Sequence, residues 1–231
     1  MEKIKINEVV DFRRKTTEKS KRNFISKLMT RVPKEKTESE DDDDEPRDYW
    51  VFSTSCIYNV FKNKSDEFYD PKISELETKM LNPDLKSTTL SMYKRNRDIL
   101  LNFKEFDLYN LRPEKFTRQG VQTEHKILMV DGFPLYIKPT IVFSFDMKDK
   151  KVIGALWLVP QVNGFKKSEL GIFCEALYRF LLKNYSQNFQ ISEQYCIAID
   201  TFNSQSITYK DILDGNLQPL LDVTINEMKY L

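Results

Sequence analysis

A chain of 231 residues with 40% hydrophobic and 13% aromatic content can bury a sizeable core, as one domain or as one domain with a helical extension. Lys and Arg number 36 and Asp and Glu 35, so the net charge of +1 gives no argument for nucleic acid, and only the distribution of charge can. One histidine, His125, leaves histidine-rich metal centres and histidine-dependent triads with almost nothing to work with. No run approaches the ~18 apolar residues of a membrane span, and the charged N-terminus has no apolar secretory core, so the expectation is a cytoplasmic protein without a membrane partner. Cys56, Cys174 and Cys196 are odd in number, widely spaced and set in apolar surroundings, which reads as buried thiols in a reducing compartment.

Residues 1–32 form a basic helical segment. Asn7 is a plausible N-cap followed by Glu8, and Phe24, Ile25, Leu28, Met29 and Val32 repeat at helical spacing over 6–32 as one helix or two. Arg13, Arg14, Lys15, Lys19, Lys21 and Arg22 give a basic face that suits phosphate oxygens, the plainer reading being a solvated helix. Residues 33–47 follow as an acidic linker with four consecutive aspartates, expected to be disordered because like charges repel and nothing apolar is present to bury. The spacing of a calcium loop is absent from it.

Residues 48–231 carry the main domain. Tyr49 and Trp50 offer either base-stacking rings or a staple onto the core, and Ser53, Thr54 and Ser55 are candidate caps for a helix with Cys56, Ile57, Val60 and Phe61 on its apolar stripe. Residues 63–83 read as polar loop with a short helix at 73–80. Residues 87–107 read as a long helix with Leu90, Tyr93, Arg97, Leu100, Leu101 and Phe103 inward, and 108–120 as a connector.

From His125 onward the pattern changes to period two. Asp131-Gly132 is a hairpin turn signal, because both central residues of that turn take φ > 0. Residues 133–146 read as one long strand, a polar turn covers 147–151, and 152–159 is apolar on both faces, so cover is expected on both sides. A helix over 168–185, a strand over 194–200, a polar loop over 201–215 and an amphipathic helix over 217–231 complete the chain. The expected fold is α+β: a mixed sheet with an antiparallel three-strand meander followed by helix-strand-helix, plus N-terminal helices.

The order helix, three strands, helix, strand resembles the core of the PD-(D/E)XK nuclease superfamily. That resemblance implies a restriction-endonuclease-like core in which an aspartate on the second strand and an acid-x-Lys motif on the third hold Mg²⁺ and position the attacking water. Lys138-Pro139-Thr140-Ile141-Val142 stands where Pro-Asp and apolar residues are expected, and Ile153 to Leu158 stands where the third-strand motif is expected. Thr140, Ala155 and Trp157 therefore occupy the places of aspartate, acid and lysine, and all three are departures. Glu175 and Tyr178 match polar positions that some members carry on the following helix.

A relocated acidic site built from Glu124, Asp146 or Glu175 is the remaining catalytic option, with Mg²⁺ as its cofactor, although no lysine sits suitably on the third strand. There is no Gly-rich phosphate loop, no Gly-x-Ser-x-Gly elbow and no His-Glu-x-x-His. The sequence thus points to a degenerate, non-catalytic nuclease-like domain that binds a protein or nucleic-acid partner without cofactor or metal. An active nuclease and an accessory protein of a mobile element or host-conflict system are the alternatives.

Overall fold

The computed structural model describes residues 2–32 and 48–231. The acidic linker at 33–47 lies outside the described residues. The chain begins with a short strand, β1 (Ile4–Lys5), and the helices α1 (Ile6–Arg13) and α2 (Glu18–Met29). After the linker come α3 (Val51–Asn63), α4 (Tyr69–Met80) and α5 (Ser87–Lys104). The strands follow as β2 (Thr117–Gln119), β3 (Ile127–Val130), β4 (Phe133–Tyr136), β5 (Ile141–Met147) and β6 (Lys150–Val159). The chain closes with α6 (Lys167–Tyr185), β7 (Gln190–Asp200), β8 (Gln205–Thr208), α7 (Tyr209–Leu213) and α8 (Leu221–Tyr230).

The fold is α+β, with two sheets. The larger has the order β2-β5-β6-β7-β8 and is mixed, since β6 and β7 run parallel while its other neighbours are antiparallel. Parallel neighbours need a long crossover, and α6 supplies it. The smaller sheet has the order β1-β4-β3. An antiparallel three-strand set followed by helix and strand is therefore present, but its first strand is β2 and not the expected strand at 125–130.

The long strand expected over 133–146 is broken. Ile137 still donates its N–H to Lys126 O in the hairpin (2.8 Å), whereas Thr140 already donates to Leu156 O in the large sheet (2.9 Å). The switch between sheets is made in Lys138-Pro139. Proline has no N–H to offer a ladder, so a break there costs the sheet nothing it could have had. Both hairpin turns have φ > 0 at their two central residues, at Asp131-Gly132 and at Lys148-Asp149.

Strand β6 is apolar on both faces because helices cover both. Ile153, Ala155 and Val159 join one core with α1, α6 and α8. Val152, Leu156 and Leu158 join a second with α3, α4 and α5. The basic N-terminal segment is integral to the first core: Ile4, Ile6, Val9, Val10 and Phe12 are buried in it, and β1 extends the small sheet. In α2 only Leu28 of the expected stripe is buried, while Met29 and Val32 are exposed.

The second core corrects three expectations. Helix α4 begins at Tyr69, within the expected loop; Pro71 falls in its first turn, where the missing N–H has no helical partner to lose. Helix α3 starts at Val51, so Ser53 is inside it and not a cap. The inner face of α5 is Met92, Tyr93, Asn96, Ile99, Leu100 and Phe103, while Leu90 and Leu101 are exposed. Asn96 is fully buried and satisfied. Its Oδ1 accepts from Ser53 N (2.9 Å) and Ser53 Oγ (2.7 Å), and its Nδ2 donates to Tyr49 O (2.8 Å) and Met92 O (2.9 Å). It ties the start of α3 to the middle of α5.

At the far end, strand β8 and helix α7 occupy the expected loop at 201–215. Asp200 is fully buried and accepts from Phe165 N (2.8 Å), Phe202 N (2.9 Å) and Asn203 Nδ2 (2.7 Å). Gly164, at φ 62°, packs so close that a methyl group there would strike Asp200 and Asn203.

Asn96→Ala should lower unfolding free energy by about 2–3 kcal/mol, since it strands buried partners. Leu101→Ala, on the exposed side of the same helix, should cost less than about 1 kcal/mol. Urea unfolding of the two variants checks the register of α5.

Candidate functional site

The sheet switch opens a cleft. As the chain leaves β4 and enters β5, the ends of the two sheets separate, and a cavity of about 630 Å³ lies between them. Tyr136, Lys138, Pro139 and Thr140 line it, as do Trp157 and Leu158, neighbours near the end of β6 that face opposite sides of the sheet. Helix α3 contributes Thr54, Ser55 and Tyr58, and Arg118 comes from β2. Lys5 and Asn7 reach it from the N-terminal segment, and Asp48 from the start of the main domain.

The lining is basic and aromatic. Lys5, Arg118 and Lys138 are exposed cations, against the single carboxylate of Asp48. Neither Lys5 nor Lys138 is ion-paired among the described residues. The Arg118 guanidinium lies over the Tyr58 ring at 6.0 Å from its centroid. The Tyr58 hydroxyl is buried and has no hydrogen-bond partner among the described residues. Trp157 is half-buried and stands edge-on to Phe173 at 5.3 Å and 90°, which fixes the plane of its indole.

Of the three positions that the nuclease resemblance marks out, two line the cleft. Thr140 and Trp157 lie on neighbouring strands, and the Thr140 hydroxyl oxygen accepts the Leu158 N–H (2.9 Å), completing the ladder where the strand begins. Ala155 is fully buried behind them, between Val142 and Cys196.

The weaker acidic candidates are dispersed. Asp146 stands opposite Lys151 beside the hairpin turn, six residues along the strand from Thr140 and roughly 20 Å away at ~3.3 Å per residue. Glu124 is exposed in a short turn before β3. Glu175 is buried in α6, and its Oε1 accepts from Leu220 N (2.7 Å) and Leu221 N (3.0 Å), capping the start of α8. Arg179, four residues further along α6, is bidentate with Asp222 at 2.7 and 2.6 Å. Tyr178 stacks on Tyr209 at 3.9 Å. Among the described residues no three His, Cys, Asp or Glu side chains converge as a metal site.

The basic run of the first two helices is largely engaged within the chain. Arg14 is bidentate with Glu169, at 2.8 Å from Nε and 2.7 Å from an Nη. Lys21 bonds Glu227, Arg22 bonds Glu18, and Arg13 donates to Thr224 Oγ1 (3.1 Å). Lys15 lies over the Phe24 ring at 5.5 Å, and Lys19 lines a shallow surface groove with Glu18 and Arg22. The structure does not gather these six cations into the cleft.

No protein-family model, no curated protein and no solved structure matches the chain. The geometry of the cleft therefore carries the functional reading. Sequence reasoning missed Lys5, Tyr58, Arg118 and Lys138, which come from separate elements. The one local signal was Pro139, since a proline inside a run of strand residues demotes that run to an edge or a break.

Two buried carboxylates titrate in opposite directions. Burial pushes Glu175 up, and the N–H groups of Leu220 and Leu221 only partly offset this, so its net pKa is raised. Burial also works to raise Glu169, but the Arg14 hydrogen bonds and the Lys166 N–H outweigh it and the net pKa is lowered. A raised carboxyl pKa costs stability as pH rises through the folded value, because the folded state then gives up a proton it held more tightly. Glu175→Gln keeps an acceptor oxygen without the charge. At pH 8 it should stay within about 1 kcal/mol of wild type, whereas Glu175→Ala, which strands two N–H groups, should lose about 2–3 kcal/mol. Chemical denaturation at that pH separates the two.

For Glu169 the sign reverses. Its lowered pKa contributes stability that is complete above the ordinary unfolded value of about 4.3 and fades as pH falls through the folded value. Melting temperature measured from neutral to acid pH should therefore drop less steeply below about pH 4.3 in Glu169→Gln, which starts from a lower neutral plateau.

Proposed function

We propose that this chain is a nuclease-like domain that works by binding nucleic acid in the cleft between its sheets and does not cleave it. The observation that carries the reading is the cleft itself: three cations without an ion pair among the described residues and two tyrosine rings accompany Thr140 and Trp157, where a cleaving member of the PD-(D/E)XK superfamily would hold an acid and a lysine. Cations placed at a rim suit phosphate oxygens, and rings set between them suit bases. Membership of that superfamily is part of the proposal. In its support, α5, β2, β5, β6, α6 and β7 follow the order of the superfamily core, and β7 joins β6 in parallel.

The chemistry of the donor set argues against metal-assisted cleavage at this place. Thr140 offers a hydroxyl already engaged by Leu158 N, Ala155 offers no donor, and Trp157 puts an indole where a cation would act. Glu175 and Asp146 lie elsewhere, one as a helix cap and one beside a turn. No described helix is long and apolar enough to cross a membrane. The three buried free thiols suit a reducing compartment, and we place the protein in the cytoplasm, within an assembly that handles nucleic acid.

Fluorescence anisotropy with labelled DNA and RNA tests the binding. With about three phosphates neutralised, single-strand affinity should fall about 20-fold between about 50 and 200 mM salt. The double variant Arg118→Ala/Lys138→Ala should bind weakly, while Lys19→Ala/Arg22→Ala should bind as wild type does. Incubation with Mg²⁺ or Mn²⁺ should produce no cleavage beyond that of an Asp146→Ala/Glu175→Gln preparation. Absence of binding at low salt would favour a protein partner, and cleavage lost in that double variant would establish a relocated nuclease site.

A further inference from the structure

We propose that the cleft selects unpaired nucleic acid by accepting one nucleotide at a time, with its base against the Trp157 indole and its phosphate beside Lys138. This rests on the nucleic-acid reading above and adds the strand form and the subsite. A cavity of about 630 Å³ is the size of a small-ligand site and takes a single nucleotide unit. The cations sit at its exposed rim and the indole is half-buried within it, so a bound strand meets charge first and a ring afterwards. A base inside a duplex has both faces covered by its neighbours, and reaching a recessed ring requires it to leave the stack, at a cost that a single strand does not bear.

The indole is ready for such a contact. Phe173 holds it edge-on from behind at 90°, and its position on β6, a central strand of the large sheet, leaves it little freedom to turn.

The chain has two tryptophans, so Trp50→Phe leaves Trp157 as the sole indole emitter. Titration of that variant with a thymidine oligonucleotide should quench the emission, and a blunt hairpin duplex should bind about tenfold or more weakly and quench little. Trp157→Ala should lower single-strand affinity by about 5- to 150-fold, with Trp157→Phe retaining most of it. Should Trp157→Ala fail to fold, the quench and the preference for a single strand still decide the matter. Equal affinity for duplex and single strand without quenching, or unchanged affinity in Trp157→Ala together with no quench, would overturn this inference and leave the binding reading standing. No binding of either form would overturn both.

Discussion

A strand that must serve two sheets has to stop pairing somewhere, and here the stop is set by a missing hydrogen-bond donor. Pro139 has no N–H, so the ladder that β4 shares with its neighbours cannot continue through it. On one side Ile137 completes the small sheet, and on the other Thr140 opens the large one with both its N–H and its hydroxyl. The two sheets diverge from this point, and their divergence creates the cleft. Without the break, 133–146 would run as one strand and the space lined by Trp157 would be closed by sheet.

Around that seam the molecule is organised as two cores sharing one sheet. Helices α1, α6 and α8 cover one face and α3, α4 and α5 the other, so the central strands β6 and β7 are buried on both sides. Three polar contacts hold distant parts of this arrangement in register. Asn96 locks α3 onto α5, Glu175 caps α8 from α6, and Arg14 reaches from the N-terminal segment to Glu169 and Gly164 O at the start of α6. Each is buried or partly buried, and each joins residues far apart in sequence. Specific pairing of this kind selects one arrangement among several that would bury similar apolar area.

Local patterning made part of this legible. The apolar run of β6, the Asp131-Gly132 turn, the α6 helix and the buried cysteines follow from period, turn chemistry and burial preference, and all are present. What escaped were elements whose sequences look like loop. Thr-Arg-Gln of β2 and Gln-Ser-Ile-Thr of β8 are short and polar, and they become strands because a neighbouring edge is there to pair with. The basic run from Arg13 to Arg22 looked like a binding face because its carboxylate partners Glu169 and Glu227 lie far downstream in the sequence. The cleft was half legible. Thr140 and Trp157 stood out by resemblance, whereas Lys5, Tyr58 and Arg118 are brought to them only by tertiary structure.

The placement of the three thiols gives the fold its own internal clock. Cys174 and Cys196 are fully buried in the core beneath α6, and Cys56 is buried in the opposite core, where burial pushes its pKa up to about 11. A thiol that is both covered and protonated reacts with an alkylating reagent only when its surroundings open. The rate at which each cysteine is modified in the native protein therefore measures how often its own core comes apart. If the shared sheet makes the molecule a single cooperative unit, all three are modified at one rate per unit of thiol reactivity. If the two helical layers lift from the sheet separately, Cys56 keeps different time from the other two.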